Sequence, residues 1–165
     1  MVCPMRRADR EIQGRDEIDS ILEREATGHL GLVDPDEGPY VLPFNFFYDR
    51  KRGRIYVHCA AEGRKLDIIR KDPRACFEVC EVGLDTEADD QRCPERWKSV
   101  IASGTMAFVE DPKEKLEVLN GLIAKYGRSH KPATEEQAKK TTILAMDIRE
   151  VTGKTYQDRK DAKKK

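Results

Sequence analysis

The chain has 165 residues and a mass of 18.9 kDa, enough for one domain with a real core. Hydrophobic and charged residues each make up 38%, and 31 Lys plus Arg balance 31 Asp plus Glu, a neutrality that argues against a general polyanion binder. No apolar run is long enough to span a bilayer and MVCPMRRADREI lacks a secretory apolar core, so a cytoplasmic protein with five reduced cysteines is expected.

In chain order, DEIDSILEREA (16–26) predicts a helix with Ile18, Ile21, Leu22 and Ala26 on one face, Asp16 as N-cap and Gly28 as its end. HLGLVD reads as a strand, closed by the turn residues DPDEGP. YVLPFNFFYD is a second strand and, after the turn RKRG, RIYVHCA is a third; short connections make these three an antiparallel meander. A helix follows at 63–71, then a fourth strand, RACFEVCEVGL, and a polar, acidic loop at 85–96. WKSVIASGTMAFVED is a long fifth strand, with Gly104 as its bend or bulge. PKEKLEVLNGLIAKYG is a helix with Pro112 in its first turn and Leu116, Leu119, Leu122, Ile123 and Tyr126 as its apolar stripe. TTILAMDIREVTGKT is the sixth strand, and the basic end of the chain, 156–165, reads as a solvated tail after a single domain, 1–155.

Six strands, mostly adjacent in sequence and with few helices between them, predict a mainly β fold: a closed or partly closed antiparallel barrel with flanking helices. The segment IYVHCAAEGRKLDIIRKDP passes from strand to helix through Gly63, Arg64 and Lys65. Two cations in the first turn of a helix are unfavourable there unless an anion is bound, and a glycine lets backbone approach that anion closely. The competing reading is a charged loop in which Glu62 and Asp67 pair the cations. The stretch is not a P-loop, and no G-x-G-x-x-G motif occurs.

RRADREI, GHLGLVD with PYVLPFNFFYD, RIYVHCAAEGRKLDIIRKDPRACFEV and WKSVIASGTMAFVED occur in the order seen in flavin-binding split barrels. The chain resembles the pyridoxamine 5′-phosphate oxidase-like superfamily, most closely its nitroimidazole-resistance type. The resemblance implies a six-stranded split barrel that forms a homodimer with FMN in grooves at the interface. It implies that Pro43, Phe44 and Asn45 lie along the isoalloxazine ring, and that His58, Cys59 and Ala60 pass beside it. Arg64 and Lys65 would meet the phosphate, and Trp97, Lys98 and Ser99 would approach from the fifth strand. A histidine in the setting of His58 lies at the active site of such proteins, where it positions substrate or passes a proton; the alternative is a histidine that only hydrogen-bonds the cofactor.

Phe44, Phe46 and Phe47 also fit a core or interface role. Cys76 and Cys80 read as small core residues rather than zinc ligands, because structural zinc sites use closer, turn-borne pairs. His29 and His130 belong to no motif. True pyridoxamine-phosphate oxidases end in an Arg-rich segment that holds substrate phosphate, and VTGKTYQDRKDAKKK lacks it. The expected function is therefore an FMN-dependent oxidoreductase that reduces small electrophiles such as nitroaromatics, with no metal, nucleic acid or membrane partner. The alternatives are a non-catalytic flavin binder or redox sensor, and a split barrel that uses haem or a deazaflavin.

Overall fold

The computed structural model describes residues 5–84, 95–127 and 131–156. The expectations placed on His130, on most of the 85–96 loop and on the tail after Tyr156 lie outside these residues. The first helix, α1 (Arg15–Arg24), buries Ile18, Ile21 and Leu22 as their spacing requires. Its N-cap is Gly14 without a side-chain cap, so Asp16 lies inside the first turn instead, facing the positive end of the helix dipole. Gly28 opens the next strand, and Ala26 is exposed.

The strands are β1 (Gly28–Asp34), β2 (Gly38–Phe44), β3 (Phe46–Asp49), β4 (Arg54–Cys59), β5 (Arg74–Leu84), β6 (Glu95–Phe108) and β7 (Thr142–Tyr156). The other helices are α2 (Arg64–Lys71), α3 (Pro112–Tyr126) and α4 (Glu135–Lys140). The strands form one antiparallel sheet in the order β2-β1-β5-β6-β7-β4-β3.

The expected second strand breaks at Asn45 into β2 and β3, so there are seven strands among the described residues, and the three-strand meander does not form. Instead β2 pairs with β1, while β3 pairs with β4. These two strands are the opposite ends of the sheet order, yet only Asn45 separates them in the chain. Two edges joined through one residue must approach each other, so the sheet curls into a split barrel. The register shift expected near Gly104 falls between Ser103 and Gly104. A Cβ at Gly104 would lie 2.0 Å from the backbone oxygen of Asp147, so no larger residue fits.

The barrel interior holds Leu30, Phe46, Phe77, Val79, Ala102 and Met146, closed by Leu22 of α1 and by Leu66 and Ile69 of α2. A second apolar cluster lies outside the barrel, where Val118 and Leu122 of α3 cover Tyr56, Ile143 and Ala145. Gly121 allows this approach, since a Cβ there would meet the Phe47 ring at 2.7 Å. The short α4 begins with a capping box, Thr134 with Gln137.

Cys76 and Cys80 are not core residues. Phe77 and Val79 are buried, which turns Cys76, Glu78 and Cys80 to the outer face, with Cys80 exposed. No group of His, Cys, Asp and Glu among the described residues could hold a metal ion, and no described helix is long and apolar enough to cross a membrane.

Candidate cofactor site

β4 alternates strictly. Ile55, Val57 and Cys59 face the barrel interior, while Tyr56 and His58 face α3. His58 thereby reaches a cavity of about 590 Å³, whose walls are Thr27, Pro43, Phe44 and Asn45 on one side and Leu119, Leu122, Ile123 and Tyr126 of α3 on the other. This volume is in the range of small-molecule sites. The structure thus brings Pro43, Phe44, Asn45 and His58 together. Among the described residues, no acidic or cationic side chain lines the cavity.

The Asn45 break creates the site. It lets Pro43 and Phe44 end one edge of the sheet beside His58, which belongs to a strand near the other edge. Phe44 also packs against the barrel core, whereas Pro43 and Asn45 are exposed. Cys59 is partly buried against the core, and burial pushes its thiol up while the nearby Lys65 opposes that shift. Only the backbone of Cys59 is left to face a cofactor. Ala60 is exposed just beyond the strand.

Gly63 is the N-cap of α2, at φ 130°, in backbone space that favours glycine. Arg64 does not pair with Glu62 or Asp67. Its guanidinium donates to Asp34 at 2.9 and 3.1 Å, lies 2.8 Å from Glu37 and stacks on Tyr40. Asp34 accepts the N–H of Asp36 as well, and that bond, with Arg64 after it, holds its carboxyl below the usual carboxylate range. Asp67 pairs with Arg70. Lys65, half-buried, has no carboxylate partner among the described residues, and its Nζ lies 3.7 Å from where a Gly63 Cβ would stand.

Trp97, Lys98 and Ser99 do not reach the His58 cavity. Trp97 pairs in register with Tyr156 and stacks on it at 6.1 Å, toward the end of β6 remote from Phe108. Ser99 shares its outward face, whereas Lys98 points to the α1 side and meets Glu17 at 2.7 Å. His29 on the outer face approaches Glu78 at 3.2 Å.

The α3 wall is the part that sequence reasoning missed. Its stripe was legible, but as packing surface. Only Leu122 is buried in it, alongside the unflagged Val118, and the half-exposed Leu119, Ile123 and Tyr126 face the cavity.

The family model described as pyridoxamine 5′-phosphate oxidase matches residues 14–155. The chain belongs to the pyridoxamine 5′-phosphate oxidase family. Among solved structures, it is similar to a protein of Bacteroides thetaiotaomicron provisionally described as a 5-nitroimidazole antibiotic resistance protein. The TM-score is 0.75 at 24% identity, over 88% of this chain and 86% of that one. It is also similar to the flavocytochrome Anf3 of Azotobacter vinelandii, with a TM-score of 0.73 at 19% identity over 98% and 78% of the two chains. An FAD-binding protein of Mesorhizobium loti gives 0.66 at 20% identity over 90% and 98%. At these identities the likeness concerns the fold. No curated protein matches significantly.

Proposed function

We propose that this member of the pyridoxamine 5′-phosphate oxidase family is a flavin-binding oxidoreductase that holds FMN and reduces small, uncharged electrophiles such as nitroaromatic compounds. The observation that carries the reading is the cavity between Asn45, His58 and α3, with largely apolar walls and, among the described residues, no acidic or cationic side chain. Of the proteins of similar fold, one is described as FAD-binding and another as a flavocytochrome.

The residues present fit the group. The apolar walls suit a flat ring, and Asn45 offers an amide to its polar edge. The N–H groups after Gly63 and the unpaired Lys65 suit a phosphate. Arg64 is committed to Asp34 and Glu37, so Lys65 is the principal cation for that role. Bound FMN would supply reversible two-electron transfer. Reduction of a nitro group also consumes protons, and a ring nitrogen of His58, exposed at the cavity, is the group available to donate one. Leu119 and Ile123 exclude water from that side. A phosphorylated vitamin B6 substrate suits the cavity poorly, because the described part of its lining offers no cation to a second phosphate.

The protein acts in this reading as a homodimer. Val33, Val41, Val82 and Ile101 are exposed, and by strand alternation all lie on the outer face of the sheet with Trp97 and Ser99. A second copy seated there would cover them and would offer Trp97 and Ser99 to its partner's ligand, a role they cannot serve at the His58 cavity of their own chain.

The test is His58→Ala, with turnover of a nitroaromatic acceptor by a nicotinamide donor normalised to bound flavin. The expected result is retained flavin with turnover reduced about 10²- to 10⁴-fold. Normal turnover per flavin would end the catalytic role of His58, and no turnover by the unaltered protein would favour a flavin binder or sensor.

A further inference from the structure

The β1–β2 hairpin pairs as far as Gly28 with Phe44. One residue beyond that rung on each strand stand Thr27 and Asn45, both of which line the cavity. One residue further stand Ala26 and Phe46, which the same register would pair. They do not pair directly. The hydroxyl of Tyr126, at the end of α3, stands between them. The Phe46 N–H donates to it at 2.8 Å, and the hydroxyl has the Ala26 carbonyl as acceptor at 2.7 Å, with the Phe46 carbonyl at 3.1 Å. The hydroxyl thus replaces a rung of the ladder with a longer bridge, and it does so where the two strands must part for β3 to reach the other edge of the sheet.

We propose that Tyr126 is a positioning residue, whose hydroxyl holds the end of the hairpin open and sets the spacing of Thr27 and Asn45 at the polar edge of the bound ligand. This inference rests on the flavin reading above. Its chemistry is specific. Phenylalanine fills the same space but cannot bridge, so the Phe46 N–H loses its partner and the Ala26 and Phe46 backbones either close on each other or become mobile. In both cases Asn45 moves relative to the ring. Hydrogen bonds at that edge tune flavin electronics, so the bound cofactor itself reports the change.

The experiment compares Tyr126→Phe with the unaltered protein by FMN titration, the visible spectrum and midpoint potential of bound FMN, and amide exchange at Phe46. Expected are faster exchange at Phe46, roughly tenfold weaker FMN binding, and a shifted flavin spectrum and potential. On an Asn45→Ala background the same change should alter affinity less than about threefold, since the two residues act as one unit. A lower melting temperature with an unchanged affinity, spectrum and potential would show a merely structural tyrosine and overturn the proposal. Failure of the unaltered protein to bind FMN would instead overturn the flavin reading, and this inference with it. If Tyr126→Phe does not fold, Thr27→Val and Asn45→Ala carry the test: both should weaken binding and shift the spectrum, and no effect from either would overturn the proposal.

Discussion

Replacing Lys65 by Ala isolates the proposed phosphate contact. Lys65 has no carboxylate partner among the described residues, so its removal breaks no ion pair among them, and the fold should change in stability by no more than about 0.5 kcal/mol. A charge-assisted contact with a phosphate dianion contributes about 1.5–3 kcal/mol. The backbone N–H groups and dipole of the eight-residue α2 remain in the variant and keep about 0.3–1 kcal/mol of attraction. The dissociation constant for FMN should therefore rise about 10- to 100-fold without binding being abolished. Riboflavin, which lacks the phosphate, is the internal control: Lys65→Ala should leave its affinity unchanged and so erode the preference for FMN. Arg64→Ala should behave oppositely, lowering the melting temperature by stripping Asp34 and Glu37 of their partner while sparing FMN affinity. Flavin fluorescence titration of the apoproteins at low and high salt reads the FMN and riboflavin constants, with screening expected to narrow the Lys65 effect, and thermal melting reads the Arg64 effect. An unchanged FMN constant, or an equal loss for riboflavin, would refute the reasoning.

Gly104→Val should destabilise by about 3 kcal/mol or more in urea unfolding, because its Cβ would collide with the backbone of β7 at Asp147. Burial first, and then the bond to Glu114, push the Tyr56 phenol up to about 12. Its unfolded value is roughly 10. A raised folded value means stability that is fully present below the unfolded pKa and lost as pH rises through the folded one. The melting temperature should therefore fall between about pH 10 and 12, and Tyr56→Phe should flatten that decline. Light scattering should report twice 18.9 kDa, and Ile101→Arg, on the exposed outer face, should yield a monomer with reduced flavin content; an Ile101→Arg dimer would move the interface elsewhere.

Much of the fold was legible because its signals are local. Alternation in RIYVHCA sets His58 on the face opposite Ile55, Val57 and Cys59, and the Pro112 start and apolar stripe marked α3. The break at Asn45 was hidden, because PFNFFY is a continuous apolar and aromatic run in which one asparagine is the sole mark of a strand changing edges. In CFEVC either alternating set could have faced inward, and the larger apolar pair, Phe77 and Val79, took the core. The partners of Arg64 lie some 30 residues away, beyond any reading of EGRKLD. Tyr126 looked like one more member of a helical stripe, since nothing in sequence shows which backbone a hydroxyl will meet. The α4 cap, Thr134 with Gln137, was a readable signal left unused.

The central claim is that one FMN is held with its ring in the cavity beside His58 and its phosphate at the turn of Lys65. The most direct measurement is the visible spectrum of the purified protein, followed by identification of the chromophore released on denaturation and titration of the apoprotein with FMN, FAD and riboflavin. The expected result is a flavin spectrum, FMN as the released species, and clearly weaker binding of riboflavin. A haem spectrum, or an apoprotein that binds FMN and riboflavin equally or not at all, would contradict it.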